Sequence, residues 1–146
     1  FTCELNMLRF LTRTLLGGPI MYFSGLLLWS GYHTIEKRLP RQFIDNQLAS
    51  EIPRDEVIVW ADISGALVLA ALLTMLIGWR GCASAGDGLK TGAVVGLMVW
   101  VGVDLTLYAN FELVTVAALL TDPLIESAKF AAAGAAIALV GREPEL

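Results

Sequence analysis

The chain is organised around residues 88–108, which read GLKTGAVVGLMVWVGVDLTLY. This stretch is long and apolar enough to cross a bilayer, since a spanning helix needs about 20 such residues. It carries glycines at four-residue spacing, Gly88, Gly92 and Gly96, at one end and a single carboxylate, Asp104, near the other. Small residues at this spacing let helices approach closely, and a carboxylate within a membrane needs polar surroundings. Both features predict that other helices pack around this one.

The composition indicates a membrane protein. Of the 146 residues, 56% are hydrophobic and 16% are charged, and the mean hydropathy is +0.67. Soluble domains contain about 25% charged residues. The apolar runs are about 20 residues long, which is longer than the 10–14 typical of a buried soluble helix. We therefore expect an all-α integral membrane protein, a bundle of four transmembrane helices forming a single domain within the lipid bilayer.

The expected spans cover about residues 15–34, 57–79, 88–109 and 113–141, and residues 35–56 form a polar connection. The first 13 residues are either a helix lying on the membrane or an extension of the first span. Pro19 is expected in the first turn of that span, where proline is best tolerated. Trp60 and Trp79 are separated by roughly 28 Å at helical rise, which matches the hydrocarbon thickness. The short connection at 80–87 predicts that spans two and three are antiparallel neighbours.

The number of spans also predicts the orientation. Four spans place both termini on the same side of the membrane. The side of the termini carries five cations, namely Arg9, Arg13, Arg80, Lys90 and Arg142. The opposite side carries four, namely Lys37, Arg38, Arg41 and Arg54. Because cytoplasmic loops carry the excess of Lys and Arg, the count favours a cytoplasmic N-terminus.

The glycine face needs a partner with a small surface. The last span offers one in its alanine-rich half, through Ala131, Gly134 and Ala138. A helix of another protein is the alternative partner. The sequence leaves both open.

A second feature is a group of polar residues within the apolar spans. Counting along antiparallel spans places members of all four in the same leaflet, and Glu126 and Lys129 have the spacing of an ion pair on a helix. Tyr108 lies one turn from Asp104 and is positioned to hydrogen-bond it. We call this group the polar cluster; it consists of His33, Asp62, Asp104, Tyr108, Asp122, Glu126 and Lys129.

The polar cluster has two interpretations. It is a proton path, a cation site or a polar ligand pocket, because one lysine does not neutralise four acids. Alternatively, Asp62 and Asp104 lie at the headgroup level and Asp122 is the N-cap of a helix that starts at Pro123. In that version residues 111–120 form an interfacial or re-entrant segment.

The sequence contains no recognisable catalytic or cofactor motif. Its two cysteines, Cys3 and Cys82, lack a metal-site spacing and are expected to be free thiols if their side is cytoplasmic. The single histidine, His33, is interpreted as an interface residue rather than a metal ligand. With a net charge of −4 and no basic patch, nucleic acid is excluded as a partner. We assign no catalytic, cofactor-binding or metal-binding residue and expect that the protein is not an enzyme.

Residues 92–106, GAVVGLMVWVGVDLT, are followed by Phe111-Glu112-Leu113, by Asp122 and Glu126, and by a helix rich in glycine and alanine. Over residues 86–141 the chain resembles small bacterial inner-membrane proteins with four predicted helices and no assigned function. The resemblance implies a bacterial inner membrane and a small helical bundle, and it implies no catalytic residue.

Two functions follow from these features. The first is a non-catalytic accessory or scaffold subunit that packs within a larger membrane assembly, with other membrane-protein subunits as partners. The alternative is a proton-conducting, ion-conducting or small-solute transport protein that uses the intramembrane carboxylates.

Overall fold

The computed structural model describes residues 2–36, 58–82, 84–110 and 116–140. These residues form four α-helices and no strand, which confirms the all-α prediction; the helices are α1 (Thr2–Glu36), α2 (Val59–Arg80), α3 (Ala85–Asn110) and α4 (Val116–Val140). The polar connection beyond residue 36, the segment 111–115 and the C-terminal tail lie outside the described residues.

Three of these helices, α2, α3 and α4, are long and apolar enough to cross a membrane. This supports a membrane-embedded protein. Of the four described helices, α1 is the one that is not apolar enough by the same comparison, although the expected first span at 15–34 lies within it. Its apolar residues are diluted by Gly17, Gly18 and Pro19 and by polar residues further along. The structure therefore supports three spans, and the fourth span stays a prediction.

The helix α1 is continuous from Thr2, so the first residues extend the expected span. Pro19 consequently lies inside the helix, and its expected position in a first turn is wrong. Packing explains this continuity, because a Cβ at Gly17 would lie 2.7 Å from Ile137 Cδ1, and one at Gly18 would lie 2.5 Å from Leu67 Cδ2. Such close contacts on two sides hold the backbone helical through the proline.

The helix α4 is also longer than one of the sequence alternatives allows. It begins at Val116 and passes through Pro123, so the interpretation of Asp122 as an N-cap is wrong. The turn before the proline is helical, and Thr121 Oγ1 donates a hydrogen bond to the carbonyl oxygen of Ala117 at 3.1 Å. Pro123 itself is buried, so tertiary packing favours the helical path over a local start at Asp122.

The connection between α2 and α3 is only four residues long. Gly81 ends α2 in the left-handed conformation, with φ of +66°, and the Cys82 N–H donates to Ile77 O at 3.2 Å. Ser84 then caps α3, because the Asp87 N–H donates to Ser84 Oγ at 3.1 Å. Cys82 is a free thiol, and the side chain of Cys3 lies outside the described part of the chain.

The helices pack in the spatial order α2, α1, α4, α3. The closest pair is α3 with α4, while α1 packs against both α2 and α4. Although α2 and α3 are consecutive, they contact each other much less than these packed pairs do. The prediction that they are close neighbours along their length is therefore wrong. The core lies between the other pairs and consists of Met21, Leu73, Ile77, Phe130, Ala133, Ile137 and Ala138. The bundle is therefore open between α2 and α3.

Candidate functional site

The glycine face of α3 lies against α4. A Cβ at Gly88 would overlap the carbonyl oxygen of Gly134 and would lie 2.5 Å from Ala138 Cβ. A Cβ at Gly134 would in turn overlap the carbonyl oxygen of Gly88. The two backbones are in direct contact here, and only glycine permits that approach.

The same contact continues along α3. A Cβ at Gly92 would overlap the carbonyl oxygen of Phe130 and would lie 3.1 Å from Ala131 Cα. At Gly96 the obstacle would be the ring of Phe130, whose Cγ would be 2.9 Å away. Ser127 Oγ adds a hydrogen bond of 2.9 Å to the carbonyl oxygen of Ala93. Of the two partners that the sequence left open for the glycine face, the structure places α4 of the same chain against it.

A cleft of about 500 Å³ lies between α1, α2 and α4, with one wall residue from α3. Its lining is mostly apolar and aromatic, with three charged side chains; it consists of Met21, Tyr22, Gly25, Leu26, Trp29, Ala61, Asp62, Gly65, Ala66, Leu69, Trp100, Glu126 and Lys129. The α2 residues Ala61, Asp62 and Gly65 are exposed. Because exposed α2 residues and Trp100 of α3 both line the cleft, it reaches the surface of the bundle beside the gap between α2 and α3.

The polar centre of the cleft is Glu126, whose side chain is only 4% exposed. Trp29 Nε1 donates a hydrogen bond to Glu126 Oε1 at 3.2 Å, and Lys129 Nζ donates one to the same oxygen at 3.0 Å. Lys129 Nζ also lies 2.8 Å from Oε2, where the contact is an ion pair and lacks hydrogen-bond geometry. We call Trp29, Glu126 and Lys129 the Glu126 site.

Gly25 makes room for the Glu126 site. A Cβ at this position would lie 2.9 Å from Lys129 Cδ and 3.3 Å from Lys129 Nζ. The absence of a side chain on this turn of α1 therefore lets the lysine run along the α1 backbone and reach Glu126.

Asp104 on α3 is also buried, with 3% of its surface exposed. Its Oδ2 accepts no hydrogen bond from the part of the chain that the structure describes, and it is close enough to Glu126 for the two charges to interact. Tyr108 is 47% exposed and does not form the expected hydrogen bond. One turn from Asp104, Trp100 Nε1 is buried and has no acceptor among the described residues. This face of α3 thus holds an unsatisfied donor and an unsatisfied acceptor.

The polar cluster predicted from the sequence is therefore divided. Asp62, Glu126 and Lys129 line the cleft, with Asp62 exposed at its mouth. Asp122 is half-buried on α4 and is outside the cleft lining. His33 belongs to α1, but its side chain lies outside the described part of the structure. Within the described ranges no three His, Cys, Asp or Glu side chains are grouped so as to hold a metal ion.

Of the residues that line the cleft, the sequence prediction named only Asp62, Glu126 and Lys129. The most informative of those that it missed are Gly25, Trp29 and Trp100. Trp29 lies near the end of the expected first span, where aromatic residues usually mark the membrane interface, but it reaches Glu126 across the bundle. The available signal was the spacing of Gly25 and Trp29, which places a gap and a donor one turn apart on the same face of α1.

No family model, curated protein or solved structure matches the chain. The basis for a function is therefore the chemistry of the cleft.

Proposed function

We propose that the protein is a small membrane transport protein that moves protons or cations past the carboxylates of the cleft. The observation that carries this proposal is the Glu126 site, a charged pair inside an open cleft. Glu126 lies about 15 Å along α4 from its start at Val116, which is half of the roughly 30 Å hydrocarbon thickness. Charged groups at such depth are costly and typically mark ion and substrate pathways.

Stability alone is a poor reason for the Glu126 site. A buried ion pair often stabilises a fold no better than apolar residues of similar volume, because both charges lose their hydration. Asp104 adds a second buried carboxylate whose Oδ2 has no partner among the described residues. Polar groups that cost stability and border an accessible cleft are expected where a solute or proton passes.

An accessory or scaffold subunit is the second candidate, and a separate observation favours it. A Cβ at Gly65 on α2 or at Gly102 on α3 would meet nothing within 4 Å. These open faces are suited to a helix of another subunit. We rank this function second because the Gly88, Gly92 and Gly96 face, which first suggested it, is covered by α4. Neither function requires enzymatic activity.

Either function includes a membrane topology. We propose that α1 is the fourth span, because it packs along both α2 and α4. Both termini then face the cytoplasm of a bacterial inner membrane, as the distribution of Lys and Arg favours.

The test is flux through the full chain reconstituted in liposomes. A potassium gradient with valinomycin sets the potential, and an entrapped pH dye reports protons while separate assays follow sodium and an organic cation. We expect flux above that of empty liposomes, reduced at least about tenfold by Glu126→Gln, whose isosteric side chain lacks the charge. The control is Asp87→Asn, at an exposed carboxylate near the start of α3. Absence of wild-type flux for all these ions would overturn the proposal.

A further inference from the structure

We infer that the cleft binds a lipophilic organic cation, whose charge pairs with Glu126 and whose apolar part lies against Trp29 and Trp100. This names the substrate class of the cleft and rests on the proposed transport function for its physiological meaning. Binding itself follows from the charge, the aromatic walls and the opening of the cleft.

The charge of the lining favours a cation. Among the described residues that line the cleft, Asp62 and Glu126 are carboxylates and Lys129 is the one cation. Asp104 is a further carboxyl group close enough to Glu126 for the two to interact. An anion would find Lys129 already engaged by both oxygens of Glu126 and would face uncompensated carboxylates.

The aromatic walls favour an organic cation over an inorganic ion. Tyr22, Trp29 and Trp100 line the cleft, and a cation over such a ring is attracted more strongly when water is excluded. Met21, Leu26 and Leu69 supply apolar contact surface that a bare metal ion would leave unfilled. A carboxylate combined with aromatic faces is the chemistry by which proteins recognise ammonium-type groups.

The size and position of the cleft fit a lipophilic ligand. Its volume of about 500 Å³ lies within the range of small-molecule sites, about 300–1,000 Å³. Its mouth is formed by exposed α2 residues, beside the gap between α2 and α3. In a bilayer this gap faces lipid, so the ligand reaches Glu126 from the membrane.

Lys129 acts as the internal cation of the cleft. Its ammonium group occupies the position beside Glu126 that the ligand's charge needs, and its side chain is 16% exposed. Binding therefore exchanges one cation for another at Glu126. It follows that Glu126→Gln weakens binding, whereas Lys129→Met removes a competitor and strengthens it.

Two probe ions of the same shape and opposite charge test this inference, tetraphenylphosphonium and tetraphenylborate. Equilibrium dialysis of the full chain in detergent micelles against empty micelles gives both affinities. We expect the phosphonium to bind at least about tenfold more tightly than the borate, and Glu126→Gln to remove that difference. Lys129→Met should tighten phosphonium binding, whereas the matched controls Lys90→Met and Asp87→Asn, at exposed positions of α3, should leave it unchanged.

Equal binding of the two ions by the wild-type chain would overturn the inference. So would undiminished phosphonium binding by a Glu126→Gln variant that keeps its helical circular dichroism. If that variant does not fold, the wild-type comparison of the two ions decides alone. If the chain binds the phosphonium but shows no flux, the transport function is overturned and the ligand class stands. If the chain shows proton flux but does not bind the phosphonium more tightly than the borate, only the ligand class is overturned.

Discussion

Trp29 on α1 and Glu126 on α4 are 97 positions apart in the sequence and are joined by a hydrogen bond of 3.2 Å from Nε1 to Oε1. This bond connects the first and last described helices beside the cleft. Together with the Lys129 bond it gives Glu126 Oε1 two hydrogen bonds in a region where the bilayer supplies no water. The ion pair and the Trp29 bond thus fix the position of Glu126 while one side of the site stays open.

Lys129→Met should destabilise the bundle by about 3 kcal/mol, because it leaves Glu126 buried without its counter-charge. Adding Glu126→Gln in the same chain should restore most of that loss, since the uncharged amide no longer needs the lysine. Unfolding in sodium dodecyl sulfate, followed by circular dichroism, measures both variants. Equal stability of the single and double variants would show that Glu126 does not depend on Lys129.

Gly92→Ala should cost about 1–3 kcal/mol, because its Cβ would overlap the Phe130 carbonyl oxygen and force α3 away from α4. Gly102→Ala is the matched control on the same helix, since its Cβ would meet nothing within 4 Å. That change should raise stability by up to about 1 kcal/mol through helix propensity. The same unfolding assay compares them, and a shared sign would contradict the packing described for α3 and α4.

The sequence allowed the helical class and several local relationships to be predicted, because these depend on spacing along one helix. The four-residue spacing of Gly88, Gly92 and Gly96 indicated a packing face, and Glu126 with Lys129 indicated an ion pair. What failed depends on tertiary context. Pro19 and Pro123 are residues that favour the start of a helix, but both lie inside one. Pro19 follows the closely packed Gly17 and Gly18, and Pro123 is itself buried.

The cleft was beyond sequence reasoning for a related reason. Its shape depends on how far α2 diverges from α3 and on the rotation of α1 that directs Trp29 towards Glu126. Neither quantity is set by the spacing of residues within a single helix. The same limit applies to Asp104. The spacing of the two residues predicts a hydrogen bond from Tyr108, but the Tyr108 side chain is exposed.

Asp104→Asn should leave stability unchanged or raise it by about 1 kcal/mol. The carboxylate has an oxygen without a partner among the described residues and lies within range of the Glu126 charge, so removing its charge removes a repulsion. In the proposed function the same substitution should nevertheless reduce flux. Unfolding and liposome flux measured on one preparation separate the two effects. A loss of stability above about 1 kcal/mol would indicate that Asp104 has a stabilising partner in the membrane.

The position of α1 decides the topology and has its own test. The helix α1 packs along α4 from Gly17, which lies beside Ile137, to Trp29, which is bonded to Glu126, and this favours a crossing of the membrane. If α1 does cross, its two ends face opposite sides. Thr12→Cys and Thr34→Cys, at exposed positions in a chain whose native cysteines are replaced by serine, provide single labelling sites. A membrane-impermeant maleimide added to intact cells should label Cys at position 34 and reach position 12 only after lysis, if the N-terminus is cytoplasmic. The reverse pattern would keep the span and invert the orientation, whereas labelling of both positions from one side would show that α1 does not cross.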